Sequence, residues 1–176
     1  AILEVYASGH DVEYKADDSP ITRADRAAHD ILSAGLRRLT PEIPVLSEES
    51  ADEHAPAIRH RWHDFWLIDP LDGTKEFVAG RNEFTVNLAL VTHGTPLLGI
   101  VSAPALGLIW RGIVGRGAER LTLGKGRPLI EPVRTRPCPP PGQPWTVAVS
   151  RSHGDARTEA FIAARPGAVR CELGSA

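Results

Sequence analysis

Asp69-Pro70-Leu71-Asp72-Gly73-Thr74 packs two carboxylates, a hydroxyl and a glycine into six residues, directly behind the apolar run Phe65 to Ile68. The run is aromatic and branched enough for a buried strand. Pro70 has no N–H for a sheet ladder, which predicts that the strand stops there, with both acids at its end. Asp72, Gly73 and Thr74 read as a turn into a short helix, leaving the amides of Gly73 and Thr74 at a helix N-terminus, where phosphate binds. Asp69, Asp72, the Leu71 carbonyl and the Thr74 hydroxyl are hard oxygen donors, a set suited to Mg2+ and not to zinc. Divalent ions held by carboxylates neutralise phosphate oxygens, acidify a bound water and steady a leaving alkoxide. The stretch therefore points to phosphate ester hydrolysis. The competing meaning is an acidic turn that only caps a helix.

Phosphatases of the haloacid dehalogenase type carry a similar run, Asp-x-Asp-Gly-Thr, with the acids one residue closer. Acids two apart share a side of an extended chain, as an aspartyl nucleophile and its acid partner require. Acids three apart do so only where the chain turns. The spacing of Asp69 and Asp72 counts against a phospho-aspartate route.

Upstream, Pro44, Val45 and Leu46 form a brief strand that ends at Ser47-Glu48-Glu49-Ser50, a second place where acids follow an apolar strand. Glu48 and Glu49 are either a matching metal-ligand turn or solvated loop charges. Thr22 and Asp25 stand three apart, a capping-box spacing that starts a helix near Arg23. Ala24, Ala27, Ala28, Ile31, Leu32, Leu36 and Leu39 follow the helical period and predict one buried face, and Pro41 bars continuation. Asp25 either caps this helix or points at a hydroxyl or water in the site. Residues 1 to 7, ending at Ser8 and Gly9, fit the last turns of a helix. No methionine occurs, not even at position 1, which predicts that residues are missing at least at the start. Residues 51 to 62 are of mixed charge and compatible with helix; His54, His60 and His63 lack the one-face spacing of a zinc site and read as surface residues.

Downstream, Phe84, Val86, Leu88 and Leu90 alternate with Thr85, Asn87, Ala89 and Val91, a strand pattern over Glu83 to Val91. His93-Gly94-Thr95-Pro96 reverses it, Leu97 to Ala103 pairs back, and Leu108 to Val114 and Leu121 to Leu123 add further strands of an antiparallel sheet. Six prolines between residues 131 and 144 indicate a linker or edge crossing and a domain boundary. The expected division is a metal- and phosphate-binding α+β domain over 1–143 and the start of an incomplete second α/β domain over 144–176. In that second unit Trp145 to Val149 restarts a strand, and Asp155 to Ala164 reads as a helix. Ser152 and His153, between them, read as a helix-capping serine and a solvated histidine rather than nucleotide contacts.

At 176 residues and 42% hydrophobic content the chain is globular, with material for one sizeable core. A net charge of −2 with scattered Lys and Arg leaves no footprint for a nucleic-acid polymer. No run is long and apolar enough to span a membrane and no leader is visible, so the expected location is cytoplasmic, with a peripheral position at the inner membrane left open. Cys138 and Cys171 show no metal or disulfide spacing and read as reduced structural thiols.

Glu-Glu after a strand followed by Asp-Pro-Leu-Asp-Gly-Thr resembles the inositol monophosphatase and fructose bisphosphatase superfamily, whose fold is a layered α/β, an αβαβα sandwich. Ser19-Pro20-Ile21-Thr22 with Ala24-Asp25, Leu46-Ser47-Glu48-Glu49, Gly73-Thr74-Lys75-Glu76-Phe77, Glu83-Phe84-Thr85-Val86-Asn87 and Ser150-Arg151-Ser152-His153 are most similar to its CysQ-type 3'(2'),5'-bisphosphate nucleotidases. The resemblance implies that Glu48, Asp69, the Leu71 carbonyl, Asp72 and Thr74 bind two or three Mg2+ ions, that Asp25 and Thr74 orient the attacking water with Glu48 nearby, and that Gly73 and Thr74 hold the phosphate. It further implies lithium sensitivity, a small phosphorylated nucleotide as substrate, and a pocket lined by Gly174 and Ser175. The superfamily's further metal-binding Asp, from a late Trp-Asp-x-x-Ala segment, has no counterpart here, which leaves the site one carboxylate short and the C-terminal part of the fold absent. The implied reaction is removal of the 3'-phosphate of adenosine 3',5'-bisphosphate in sulfate assimilation. An inositol or sugar phosphatase and a non-catalytic Mg2+ or nucleotide sensor are the alternatives.

Overall fold

A computed structural model describes residues 1–8, 12–14, 20–151 and 154–174 of the chain. Helix α1, Ile2–Ser8, precedes a short antiparallel pair, β1 (Val12–Tyr14) and β2 (Pro20–Thr22), which sequence patterning did not reveal because each strand has only three residues. Helix α2, Arg23–Leu39, starts where the Thr22 and Asp25 spacing places it, with both halves of the capping box formed. Its buried stripe runs through Ala24, Ala28 and Leu36 with Leu32 half-buried, an i, i+4 row. Ile31 and Leu39 were expected on that face but stand outside the row, 61% and 75% exposed.

The central sheet has seven strands in the order β3 (Val45–Ser47), β4 (Asp64–Asp72), β5 (Thr85–Thr92), β6 (Thr95–Ala103), β7 (Leu108–Ile113), β8 (Gly117–Thr122) and β9 (Leu129–Val133). Only β3 runs parallel to its neighbour; the rest form an antiparallel meander, as the alternation and turns imply. His93 and Gly94, at φ 47° and 74°, make the two-residue β5–β6 turn, whose positive dihedrals match the twist of the flanking strands. β9 carries Pro132 and lies at the sheet edge, so the proline-rich stretch begins as an edge strand before it becomes irregular. Residues 51–62 hold less helix than their composition allows: a 3-10 turn over Glu48–Glu53 and one α-turn, α3, at Pro56–Arg59.

Helix α2 packs on β4 and β3, where Leu36, Val45 and Ile68 form one core cluster, and Trp66 Nε1 donates to Thr40 Oγ1 at 2.9 Å to tie the end of the helix to the sheet. A second cluster joins Ala24, Leu71, Phe77 and Phe84. Phe77 lies on helix α4, Thr74–Val78; its ring and those of Phe84 and Tyr6 are mutually 5.0–5.1 Å apart in tilted and edge-on contacts. The Asp69–Thr74 turn therefore sits beside a hydrophobic floor built from α1, α4 and Phe84, the residue before β5.

After the central sheet, β10 (Thr146–Ser150), α5 (Ala156–Ala163) and β11 (Val169–Leu173) form a parallel βαβ unit with its own two-stranded sheet. Asp155 caps α5, accepting from the Thr158 N–H at 2.7 Å. Cys138 and Cys171 are free and exposed, so they are surface thiols, not parts of a packed core. Ser152, His153 and Ser175 lie outside the described residues.

Gly73 sits at φ 83°, ψ 38° at the N-terminus of α4, a left-handed conformation that a Cβ disfavours. Gly73→Ala is expected to lower stability by about 1 kcal/mol, read as a lower urea midpoint with an unchanged m value.

Candidate functional site

Pro70 does not end its strand. β4 continues to Asp72, but the ladder shifts: Asp69 lies opposite Asn87 and Asp72 opposite Thr85, so three steps along β4 match two along β5. This is a bulge, and it accommodates Pro70 because the irregular stretch demands no N–H from it. The extra residue also solves the spacing problem. Residues opposite one another in an antiparallel pair share a face, and Thr85 and Asn87, two apart, share one; Asp69 and Asp72 therefore lie on the same face despite being three apart. Hydrogen bonds agree, since the Asn87 side chain donates to the Asp69 carboxylate and Thr85 Oγ1 donates to Asp72 Oδ2 at 3.5 Å.

Leu71, Thr74 and Asp25 are joined to this turn by hydrogen bonds. Leu71 N–H donates to Asp69 Oδ1 at 3.2 Å, and the Thr74 hydroxyl lies 3.2 Å from the Leu71 carbonyl and 3.4 Å from Asp25 Oδ1, two acceptors for one proton. Asp25 is 2% exposed, and its other oxygen accepts from the Thr22 N–H and hydroxyl, each at 2.7 Å. Asp25 thus caps α2 with one oxygen and faces the Thr74 hydroxyl with the other. Glu48 opens the 3-10 turn that Ser47 caps, with Ser47 Oγ accepting from the Glu49 N–H at 3.3 Å and bonded to His29 Nδ1 at 2.7 Å. Glu48 is exposed and Asp72 half-buried.

Asp69 carries the electrostatic signature of the site. Burial, then the charges of Glu48 and Asp72, push its carboxyl up from 3.8 to about 6, against the bonds from Leu71 and Asn87. Three carboxylates thus repel one another around one oxygen-rich turn, a donor set that fits a hard divalent cation. Among the described residues, no three Asp, Glu, His or Cys side chains converge as a closed metal cage. Glu48 and Asp72 are near enough to Asp69 for their charges to act on it, and Glu48 is the exposed member of the three.

Sequence reasoning passed over Thr85 and Asn87, although the polar face of the β5 alternation was their signal. It also assigned no role to Glu76, Glu83 or Arg151. Glu76, on α4, is 3% exposed and lies 3.7 Å from Arg81. Glu83 pairs with Arg151, and Gly174 reaches the same place: its N–H donates to Glu83 Oε2 at 2.8 Å. Among the described residues no helix is long and apolar enough to cross a membrane.

The profile of the inositol monophosphatase family matches residues 1–176. The chain is 44% identical over 164 residues to the 3'(2'),5'-bisphosphate nucleotidase CysQ of Escherichia coli O157:H7, which covers 92% of this chain and 62% of that protein. It superposes on the crystal structure of CysQ from Bacteroides thetaiotaomicron with a TM-score of 0.75 at 31% identity, covering 98% of this chain and 66% of the other. A Thermotoga maritima IMPase gives a TM-score of 0.73 at 25% identity, over 99% and 63% of the two chains. The chain thus spans about three-fifths of the length of the curated relative and about two-thirds or less of these structures, and within that span the mixed α/β layers and central sheet coincide. On the match along its whole length and on the layered fold, the chain belongs to the inositol monophosphatase family.

Proposed function

We propose that this protein is a Mg2+-dependent phosphatase that removes the 3'-phosphate of adenosine 3',5'-bisphosphate, yielding AMP and phosphate, as a cytoplasmic enzyme of sulfur assimilation. The observation that carries the chemistry is the β4 bulge, which sets Asp69 and Asp72 on one face beside the Asp25–Thr74 pair at the start of α4. The choice of nucleotide rests on the likeness to proteins named 3'(2'),5'-bisphosphate nucleotidase.

Glu48, Asp69, Asp72, the Leu71 carbonyl and the Thr74 hydroxyl would hold two or three Mg2+ ions. Bound Mg2+ supplies Lewis acidity, neutralising phosphate oxygens and lowering the pKa of a water. The N–H groups of Gly73 and Thr74 hold the phosphate at the helix start. Thr74 donates its hydroxyl proton to Asp25 and so presents a lone pair to the attacking water, while Glu48 accepts a second water hydrogen. Asp25 can serve because Thr22 holds it by two bonds. Water is the nucleophile and no phospho-enzyme forms. Residues 1–143 would supply this machinery, and 144–176 would open a second domain whose Gly174 and Ser175 line the substrate pocket.

Phosphate release from adenosine 3',5'-bisphosphate and inositol 1-phosphate, side by side in Mg2+, tests the reading. Preference for the nucleotide supports it, preference for the inositol ester makes the protein a sugar phosphatase with the same machinery, and silence of the full-length gene product on both favours a sensor. Millimolar Li+ is expected to inhibit turnover by displacing one Mg2+; unchanged turnover in Li+ counts against the metal mechanism.

The raised carboxyl of Asp69 gives a pH signature. Its pKa in the folded chain lies above the ordinary value, so without metal its proton favours the fold, and that contribution fades as pH rises through about 6. A cation must displace this proton, so Mg2+ stabilises more once Asp69 is ionised. The rise in Tm caused by saturating Mg2+ is therefore expected to be larger at pH 8 than at pH 5, measured by differential scanning calorimetry. The carboxyls of Glu83, Asp155 and Glu159 shift the other way, held below their usual range by bonds from Arg151, the Thr158 N–H and Arg170. An equal Mg2+ increment at both pH values would remove Asp69 from the metal set.

A further inference from the structure

A second constellation lies beside the catalytic turn, where the βαβ unit meets α4. We propose that Glu83, Arg151 and Gly174 form a clamp that seats the carboxyl ends of β10 and β11 on α4 and thereby sets how tightly the part of the substrate beyond the reacting phosphate is held; this rests on the phosphatase reading above.

One carboxylate, from the segment leading into β5, gathers both strand ends. Arg151, directly after β10, donates from Nη2 to Glu83 Oε1 at 2.9 Å, and its Nη1 stands 2.8 Å from Oε2. Nη1 is buried and lies off the line of a hydrogen bond, so the fork is ionic on that side. Gly174, directly after β11, donates its N–H to the same Oε2 at 2.8 Å. Arg151 also knits the two strands together, through its N–H to the Leu173 carbonyl at 2.9 Å and through Nη2 to the Glu172 carbonyl at 3.4 Å. The pairing holds the Glu83 carboxyl below its usual range, with the Arg151 bond as the largest cause.

The clamp brings backbone onto the helix that begins at Thr74. A Cβ built on Gly174 falls 2.3 Å from Cγ of Glu76 and 2.7 Å from its Cδ, so only glycine allows the strand end to lie this close to α4. Glu76 is 3% exposed and stands two residues from Thr74. The carboxyl ends of parallel strands are where α/β sheets receive ligands. Here those ends abut the helix whose first turn faces the phosphate, which makes them the natural wall for the rest of the substrate. Side-chain exposures of 28% for Arg151 and 38% for Glu83 mean that the ion pair adds little to global stability, so its effect is positional.

The test is steady-state kinetics in Mg2+ on the full-length gene product, with adenosine 3',5'-bisphosphate and the small ester glycerol 2-phosphate. Arg151→Ala and Glu83→Ala are each expected to raise KM for the nucleotide about tenfold, the scale of one lost charge-assisted contact, with kcat changed less than about threefold. KM for the small ester is expected to stay put. The double variant should be no worse than Glu83→Ala, because loss of the carboxylate already breaks the Arg151 link along with the one to Gly174. Arg151→Lys, which keeps the charge and loses the fork, should fall between. Gly174→Ala should reproduce the nucleotide KM effect by lifting the strand end from α4. An active wild type with unchanged nucleotide KM in Arg151→Ala and Arg151→Lys, or additive effects in the double variant, would overturn the clamp alone. Wild-type silence on both esters would overturn the phosphatase reading and this assignment with it.

Discussion

Asp72→Asn is expected to reduce phosphate release by about 10³-fold, a loss of roughly 4 kcal/mol in transition-state stabilisation. The substitution is nearly isosteric, and Thr85 Oγ1, which reaches Asp72 Oδ2 at 3.5 Å, can still donate to the Asn carbonyl oxygen. What disappears is one of the three negative charges around the turn, one that adds to burial and to the Glu48 charge in raising the Asp69 carboxyl. Two consequences separate this from unfolding. Without Mg2+ the variant should melt at the wild-type temperature or slightly above it, because a like-charge repulsion has been removed. With Mg2+ the increment in Tm should largely vanish, because the oxygen set has lost an anionic donor. Turnover within tenfold of wild type would show that Asp72 is a structural acid at a strand end. Retained Mg2+ stabilisation with abolished turnover would place Asp72 in the chemistry but outside cation binding.

Features governed by neighbours in sequence were legible from the sequence. The Thr22–Asp25 spacing sets the start of α2 because a capping box is local, and the alternation from Phe84 to Val91 sets β5 because a half-buried strand needs nothing beyond its own pattern. The contents of the Asp69–Thr74 turn were equally plain, since donor chemistry is a property of residue type. What escaped was decided by partners far along the chain. Pro70 is a poor strand residue, yet β4 passes through it because β5 tolerates a bulge there, and that same bulge turns an unfavourable spacing into a shared face. Ile31 and Leu39 keep helical period with the buried row but lie outside it, and periodicity cannot say how wide the covered stripe is. Glu83 and Arg151 are 68 residues apart, and Gly174 is 91 from Glu83, separations at which no pattern in a single sequence carries a pairing signal.

Asp25→Asn is expected to damage both stability and turnover, and the two losses have different origins. The carboxylate accepts from the Thr22 N–H and hydroxyl at 2.7 Å while only 2% exposed, so an amide of the same shape presents at most one acceptor oxygen where two were used. Weakening a capping box and leaving a buried donor poorly satisfied should cost about 1–2 kcal/mol, visible as a lower Tm in the absence of metal. The turnover loss comes from the other oxygen, 3.4 Å from Thr74 Oγ1. Without a negative acceptor there, the Thr74 hydroxyl no longer gives up its proton in that direction, and the water it presents loses its orientation. Positioned proton acceptors are typically worth about 10²–10⁴ in rate, so a fall of about 10²-fold per folded molecule is expected. The Mg2+ increment in Tm should survive, because Asp25 stands behind Thr74 and not among the cation's oxygens, and Thr74→Ser, which keeps the hydroxyl, should stay within a few-fold of wild type. If Asp25→Asn melts early but turns over at the wild-type rate per folded molecule, then Asp25 only caps α2, and the Thr74 hydroxyl directs its proton to the Leu71 carbonyl, 3.2 Å away, instead.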